Sequence, residues 1–111
     1  MELEALSNTT FNMISVKIHD ARRRIVAICD LDLVWKKFEE VKRQIDVREN
    51  FFRESEMNFQ DVVELITNEM MDDSTFNIVG EESINAAIEA GLIDEEGVIK
   101  IQGIPLALVL I

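Results

Sequence analysis

The sequence predicts a single small α+β domain with a mixed or antiparallel sheet, an N-terminal β-hairpin, about three helices and a C-terminal strand pair. The chain has 111 residues, which is enough for one modest hydrophobic core. Its composition, 48% apolar and 30% charged, is typical of a globular protein. Short β-branched runs alternate with segments whose apolar residues recur at helical spacing, so strands and helices are mixed along the chain. We take residues 13–111 as the domain and residues 1–12 as an N-terminal extension.

The first two strands are predicted to form a hairpin. The runs MISVKI (13–18) and RIVAIC (24–29) are short, apolar and rich in β-branched residues. The five-residue break HDARR (19–23) separates them. Two such runs joined by a short polar segment are typical of a β-hairpin.

The middle of the chain is predicted to hold two helices with a strand and a loop between them. The first helix is predicted over 31–42, with Asp30 placed to cap its start. Its apolar stripe consists of Leu31, Val34, Trp35, Phe38 and Val41. The alternation in RQIDVRE (43–49) suits a half-exposed strand, and NFFRESEM (50–57) is predicted to be a loop. The second helix is predicted to start after Asn58, a good N-cap.

The last third of the chain is predicted to hold a strand, a helix and a strand pair. TFNIV (75–79) suits a strand leading into a helix over 81–90. Gly91 is placed to end this helix in a left-handed C-cap, with Leu92 making the accompanying apolar contact. The remaining elements are a turn at 94–97, a strand at 98–101, a turn at 102–105 and a terminal strand.

Several features indicate a cytosolic protein. Cys29 is the single cysteine and has no partner for an internal disulfide. Residues 1–12 have neither the basic start nor the apolar run of a signal peptide. The apolar run IPLALVLI (104–111) is much shorter than the roughly 20 residues of a membrane-spanning helix. We expect it to be a strand covered by the domain's own helices or, alternatively, by a second copy in a homodimer.

The charges are distributed unevenly along the sequence. The formal net charge is −11, yet residues 56–111 hold one basic residue and twelve acids. Residues 17–53 hold ten basic residues and seven acids. Such a division can orient a charged partner, although a solvated charged surface is the simpler interpretation.

The chain resembles a family of small archaeal proteins, the domain of unknown function 424 family. The segments that carry the resemblance are SVKIHDARRRIVAICD, LVWKKFEE, FNIVGEESINAAIEAGLID and IQGIP. Matching positions are Asn77, Gly80, Gly91, Gly103 and Pro105, which are mostly turn positions and indicate a fold rather than a chemistry. The resemblance implies a cytoplasmic archaeal protein of no established activity, with an association with translation or RNA metabolism.

The chain departs from the family pattern at three places where a glycine is expected. It has Trp35, Val41 and the pair Glu54-Ser55 there. If the first helix continues through this segment, Trp35 and Val41 join its apolar stripe, as added core or as a partner contact.

Each motif that could carry chemistry also has a structural interpretation. The segment around Gly80 has the layout of a phosphate loop, but it has one glycine and is followed by Glu81 and Glu82, whose charges oppose an anion. A turn explains Gly80 better. His19-Asp20 would need further histidines to bind a metal. Cys29 follows Ile28 in a predicted strand, and such apolar surroundings raise the pKa of a thiol.

The acidic motifs also have a structural explanation that requires no metal site. Asp30-Leu31-Asp32 could hold a divalent metal, but acids are favoured at a helix start. Asp72-Asp73 and the acids at 94–96 lack the ligand spacing of a calcium loop. We therefore expect no metal and no cofactor. A pair of carboxylates acting in acid–base chemistry stays open in a chain with 22 acids.

The basic residues between 17 and 53 are the strongest binding candidates. The predicted partner-binding set is Arg22, Arg23, Arg24, Trp35, Lys36, Lys37, Lys42 and Arg43. The leading hypothesis is a non-enzymatic interaction module that binds a protein or ribonucleoprotein partner through this region. The alternatives are direct RNA binding, with Arg24 or Trp35 stacking on a base, and an enzyme that uses carboxylates with a metal.

Overall fold

The computed structural model describes residues 13–20, 22–34, 36–40 and 43–110, which form an α+β domain with a six-stranded sheet. The strands are β1 (Ile14–His19), β2 (Ile25–Asp30), β3 (Lys37–Glu40), β4 (Arg43–Asp46), β5 (Ser55–Met57), β6 (Thr75–Val79), β7 (Ile99–Ile101) and β8 (Ile104–Val109). The helices longer than one turn are α1 (Phe59–Met70) and α2 (Glu81–Glu89), and a single helical turn spans Glu49–Phe52. The large sheet has the order β5-β1-β2-β6-β8-β7, while β3 and β4 pair separately.

The sheet is mixed and begins with the predicted hairpin. β1 and β2 are antiparallel, in a register that runs from Ile14 opposite Asp30 to His19 opposite Ile25. β2 and β6 are parallel, and the other neighbouring strands of the large sheet are antiparallel. The N-terminal hairpin and the α+β class predicted from the sequence are therefore confirmed.

The main core lies between one face of the sheet and the two helices. Val62 and Ile66 of α1 and Ile84 of α2 are buried against this face. The sheet contributes Ile14, Val16, Val26, Ile28, Phe76, Ile78 and Ala107. Both helices are amphipathic in the way that their sequence spacing predicts, because burial of one apolar stripe is what holds a helix on a sheet.

A second, smaller core lies on the opposite face of the sheet. Ala27, Cys29 and Val79 are its sheet residues, and the chain from Leu33 to Phe52 packs over them. Phe52 is fixed there because its backbone carbonyl accepts a hydrogen bond of 2.7 Å from the buried Ser15 hydroxyl. A sheet whose two faces are both buried explains why β2 is apolar along nearly its whole length.

The predicted helix over 31–42 is wrong. Leu31–Leu33 is a 3₁₀ turn, and Lys37–Glu40 is β3, which pairs with β4. Among the described residues there are two helices longer than one turn rather than about three. The physical reason is that this segment must cover the face of the sheet that α1 and α2 leave exposed. An extended chain covers more of that face, because it advances about 3.3 Å per residue and a helix advances about 1.5 Å. Leu33 and Val34 are buried in doing so, and Trp35 and Val41 lie outside the described residues.

The predicted boundaries of the other two helices are confirmed. The Asn58 side chain accepts a hydrogen bond of 2.9 Å from the Asp61 backbone N–H at the start of α1. At the end of α2, the Gly91 N–H donates to the Ile88 carbonyl and the Leu92 N–H donates to the Ala87 carbonyl. These two bonds, with Gly91 at φ 82°, form the predicted left-handed helix end.

The segment predicted as a loop at 50–57 contains two short elements. The helical turn reaches Phe52, and Ser55–Met57 forms β5 at the edge of the sheet beside β1. At the C-terminus the predicted strand pair is present, although its turn is shorter than expected. Only Gln102 and Gly103 connect β7 to β8, and Pro105 lies inside β8.

Candidate functional site

The carboxylate of Asp30 lies at the N-terminus of α2. Asp30 ends β2 and Gly80 follows β6, and because these strands are parallel neighbours, both residues reach the same edge of the sheet. The carboxylate accepts hydrogen bonds from the Ser83 N–H at 2.8 Å, the Ser83 hydroxyl at 2.7 Å and the Glu82 N–H at 3.1 Å. Asp30 is thus a capping residue, but not of the helix that the sequence predicted, since its side chain makes no cap hydrogen bond to Leu31–Leu33.

Gly80 makes room for this carboxylate. Its backbone has φ 109°, a conformation that favours glycine, and a Cβ added there would collide with the carboxyl group of Asp30. The glycine is therefore required by a close internal approach as well as by its backbone angle.

The anion position at this helix end is filled by the protein's own side chain. The amide groups of Glu82 and Ser83, which a bound phosphate would use, donate to Asp30 instead. Burial raises the pKa of Asp30, while the hydrogen bonds from Ser83 and Glu82 act in the opposite direction. The contact between Asp30 and the start of α2 therefore accounts for Gly80 without a bound phosphate.

The other candidate chemical groups have structural partners. Cys29 is buried, and burial raises the pKa of its thiol, with a further contribution from the carboxylates of Asp30 and Asp32. His19 lies with its Nε2 2.8 Å from the Phe51 carbonyl, and its ring stacks on the Phe51 ring with centroids 4.4 Å apart. Within the part of the chain that the structure describes, no three His, Cys, Asp or Glu side chains are grouped so that they could hold a metal ion.

Arg24 is directed towards the helices and away from the other predicted binding residues. Its Nε lies 3.4 Å from Oε1 of Glu69, and one terminal nitrogen lies 3.9 Å from a carboxylate oxygen of Asp72. Glu69 is 6% exposed and also accepts a hydrogen bond from the Ser74 hydroxyl at 3.2 Å. The ion pair joins the start of β2 to the end of α1, which gives Arg24 a structural role.

The structure does not bring the remaining predicted residues together. Arg22 and Arg23 are exposed at the tip of the β1–β2 hairpin, whereas Lys36 and Lys37 are exposed where the chain enters β3, which contacts β7. In the sheet, β7 lies three strands away from β2, so the two pairs lie over different parts of the sheet. Arg43 lies in β4, and Trp35 and Lys42 are outside the described residues.

An exposed apolar surface lies at the same end of the sheet as the arginines of the hairpin tip. Leu108 is 62% exposed and Leu110 is 70% exposed. Leu108 is opposite Asn77, which is opposite Ala27, so these residues share the face of the sheet that carries the smaller core. We call this surface the tip face: Ile25, Asn77, Leu108 and Leu110, with Arg22 and Arg23 at the same end of the sheet.

The tip face is the part of that sheet face beyond the smaller core. The helical turn Glu49–Phe52 packs over β1 and β2, where Phe51 covers His19. The exposure of Leu108 could not be predicted from the sequence, because every residue of the terminal run is apolar and so the alternation between the two faces of the strand does not show.

β8 lies between β6 and β7, so both edges of the terminal strand are paired within the chain. The homodimer suggested for this strand stays a prediction, and such a dimer would have to use the face of the strand. Among the described residues, no helix has the length and apolar character needed to cross a membrane.

Together these features define a small α+β domain with two helices on one face of a mixed six-stranded sheet and an exposed apolar surface on the other. The family model described as "Protein of unknown function (DUF424)" matches residues 18–111. The chain belongs to this family, which confirms the resemblance seen in its sequence.

A solved structure has the same fold. A crystal structure of an uncharacterized conserved protein from Methanopyrus kandleri aligns with a TM-score of 0.78 over 87% of this chain and 90% of that chain, at 20% sequence identity. No curated protein matches the chain.

Proposed function

We propose that this chain is a non-enzymatic interaction module that binds an acidic protein partner at the tip face. The observation that carries the proposal is the exposure of Leu108 and Leu110 at the same end of the sheet as the exposed Arg22 and Arg23. Burying a leucine side chain contributes about 1.5–3 kcal/mol, so a partner that covers both residues gains considerably.

The chemistry of the partner is inferred from the surface that it must match. Arginine beside apolar residues is typical of the energetically important centre of protein interfaces. A complementary surface would bring apolar side chains to Leu108 and Leu110 and carboxylates to Arg22 and Arg23. The proposed basic contact is therefore at the hairpin tip, and it does not include Lys36 and Lys37, which lie where the chain enters β3 near β7.

The second candidate is direct RNA binding through the same end of the sheet. It is favoured by the half-buried His19–Phe51 ring pair, which lies on the same side of the sheet as the tip face. Aliphatic leucines offer no stacking surface for a base, and Arg24 is held by Glu69, so the protein partner is the better supported of the two.

The test compares two charge-reversal variants that differ in position. R22E/R23E changes the hairpin tip, and K36E/K37E makes the same change where the chain enters β3, near β7. Tagged chains are used to capture proteins from host lysate with and without ribonuclease. Each captured protein is then purified and titrated with every variant. We expect a loss of affinity of roughly tenfold or more for R22E/R23E and little change for K36E/K37E.

A second matched pair tests the apolar part of the surface. L108S removes an exposed leucine from the tip face, whereas M71S removes a methionine that is 81% exposed at the end of α1. Equal binding by both variants would overturn the proposal. Binding that disappears with ribonuclease and weakens linearly with the logarithm of salt concentration would favour the RNA alternative.

A further inference from the structure

A groove on the helix side of the sheet lies next to β7, the last strand of the described sheet, which β3 and β4 also contact. It has a volume of about 520 Å³ and runs between α2 and the β7–β8 hairpin. Ile84, Ile88 and Val98 give it an apolar lining, and Glu81, Glu95 and Lys100 contribute charged groups. The tip face lies on the other side of the sheet, so the two surfaces are separate.

The backbone of Lys100 points away from the sheet. Ile101 and Ile104 are opposite each other and flank the two-residue turn Gln102–Gly103. In a two-residue hairpin this flanking pair exchanges both hydrogen bonds, so the next pair, Lys100 and Pro105, is not hydrogen-bonded. The N–H and C=O of Lys100 therefore face outward, along the edge at which the described sheet ends.

The chain that borders the groove on the helix side is acidic. Residues 80–97 contain six acids and no basic residue, and Glu81 and Glu95 of this segment line the groove. Lys100 is the one basic residue after residue 55. A segment that approaches the edge meets an apolar strip with carboxylates at its sides.

We propose that β7 accepts an extended segment of a partner protein as a seventh strand, with an apolar residue opposite Lys100 and basic residues two positions away on each side. Lys100 exchanges both backbone hydrogen bonds with the apolar residue, whose side chain enters the groove. The flanking basic side chains lie on the same face, because strand side chains alternate, and pair with Glu81 and Glu95. Addition of a strand to an exposed sheet edge is a recurrent mode of peptide recognition.

The test uses the peptide Ac-Arg-Thr-Val-Thr-Arg-NH2 and amide NMR spectra of the ¹⁵N-labelled full chain. We expect shift changes at Lys100, Val98 and Ile88, and slower hydrogen exchange of the Lys100 amide. The same peptide with an N-methylated valine loses one backbone donor and should bind about fivefold more weakly. Ac-Glu-Thr-Val-Thr-Glu-NH2 should not bind.

The matched variants are K100P and K100A. Both remove the ammonium group, but K100P also removes the outward N–H without breaking a bond to β8, and proline is tolerated at a strand edge. We expect K100P to bind the arginine peptide about fivefold more weakly than K100A. Equal binding by the two variants, equal binding of the two charged peptides, or shift changes confined to the tip face would overturn the proposal. If K100P does not fold, the N-methylated peptide decides the same point.

Discussion

At the scale of single residues, the contact between Gly80 and Asp30 fixes how the sheet meets α2. One residue contributes a carboxylate that satisfies the first amides of the helix, and the other contributes the empty space that the carboxylate occupies. The position of the Asp30 carboxylate depends on the glycine at position 80, and the glycine is required because the carboxylate lies there. Their positions at the ends of neighbouring parallel strands make the pair a structural unit.

Gly80→Ala should destabilise the protein by about 2–4 kcal/mol. The new methyl group collides with the Asp30 carboxyl group and also forces an alanine into a backbone conformation with φ 109°. Urea denaturation of the variant and the wild type measures the difference. Gly97→Ala is the matched control, because a Cβ there meets nothing nearer than Ile93 at 3.9 Å. Equal effects of the two substitutions would contradict this account of Gly80.

Asp30→Asn should change the pH dependence of stability. Burial raises the pKa of Asp30 in the folded chain, although the hydrogen bonds from Ser83 and Glu82 lower it. Between the unfolded pKa, about 3.9, and the raised folded pKa, the folded chain keeps a proton that the unfolded chain has lost. The contribution of Asp30 to the free energy of unfolding therefore falls as pH rises through this window and is constant above it.

The measurement is a series of urea titrations from about pH 4 to pH 8 on the wild type and on D30N. Other acids affect both proteins, so the informative quantity is the difference in free energy of unfolding at each pH. We expect the wild type to lose stability relative to D30N as pH rises from about 4. A difference that grows in favour of the wild type with rising pH would show that the hydrogen bonds outweigh burial.

At the scale of elements, helix ends are where local sequence and structure agree best. Asn58 caps α1 through one hydrogen bond that depends on residues three apart, and the end of α2 depends on Gly91 and its immediate neighbours. Such contacts depend only on residues a few positions apart in the sequence. They form wherever the surrounding fold permits the helix.

Asn58→Ala should cost about 1 kcal/mol, because the Asp61 N–H loses its acceptor at the start of α1. Thermal unfolding followed by circular dichroism gives the change in midpoint. Asn68→Ala, at an exposed position in the same helix, should be neutral or slightly stabilising because alanine favours helices. The cap assignment fails if Asn58→Ala is no more harmful than Asn68→Ala.

The segment from 31 to 42 shows where local sequence is insufficient. Its apolar spacing predicts a helix, yet its described residues form a 3₁₀ turn and β3, which pairs with β4. The deciding factor is the face of the sheet carrying Ala27, Cys29 and Val79, which needs cover from whichever segment is near. Burial of this face depends on contacts between residues far apart in sequence. The apolar spacing within the segment therefore does not predict it.

The candidate surfaces were predictable to different extents. The arginines at the hairpin tip could be identified as exposed because the hairpin was predicted from the sequence and the tip of a hairpin is exposed. The separation of Lys36 and Lys37 from that tip depends on the loss of the predicted helix and on the position of β3 near β7. The outward-facing backbone of Lys100 follows from strand register, which no composition or spacing in the sequence specifies.

At the scale of the whole molecule, one sheet serves both cores. β2 contributes Val26 and Ile28 to the helix side and Ala27 and Cys29 to the other side. Separation of either layer exposes apolar residues of the same strands. We therefore expect a single cooperative unfolding transition, as is usual for domains of this size.

Cys29 gives a direct measure of this cooperativity. Its thiol is fully buried in the smaller core, and burial raises its pKa, so a thiol reagent should react only after the core has opened. If the two cores unfold together, the free energy of opening obtained from labelling rates equals the free energy of global unfolding from urea denaturation. The substitution Gly80→Ala, which acts at the end of α2, should then reduce both free energies equally. Labelling of Cys29 that stays slow while α2 is destabilised would show instead that the smaller core is held by the chain from Leu33 to Phe52 independently of the helices.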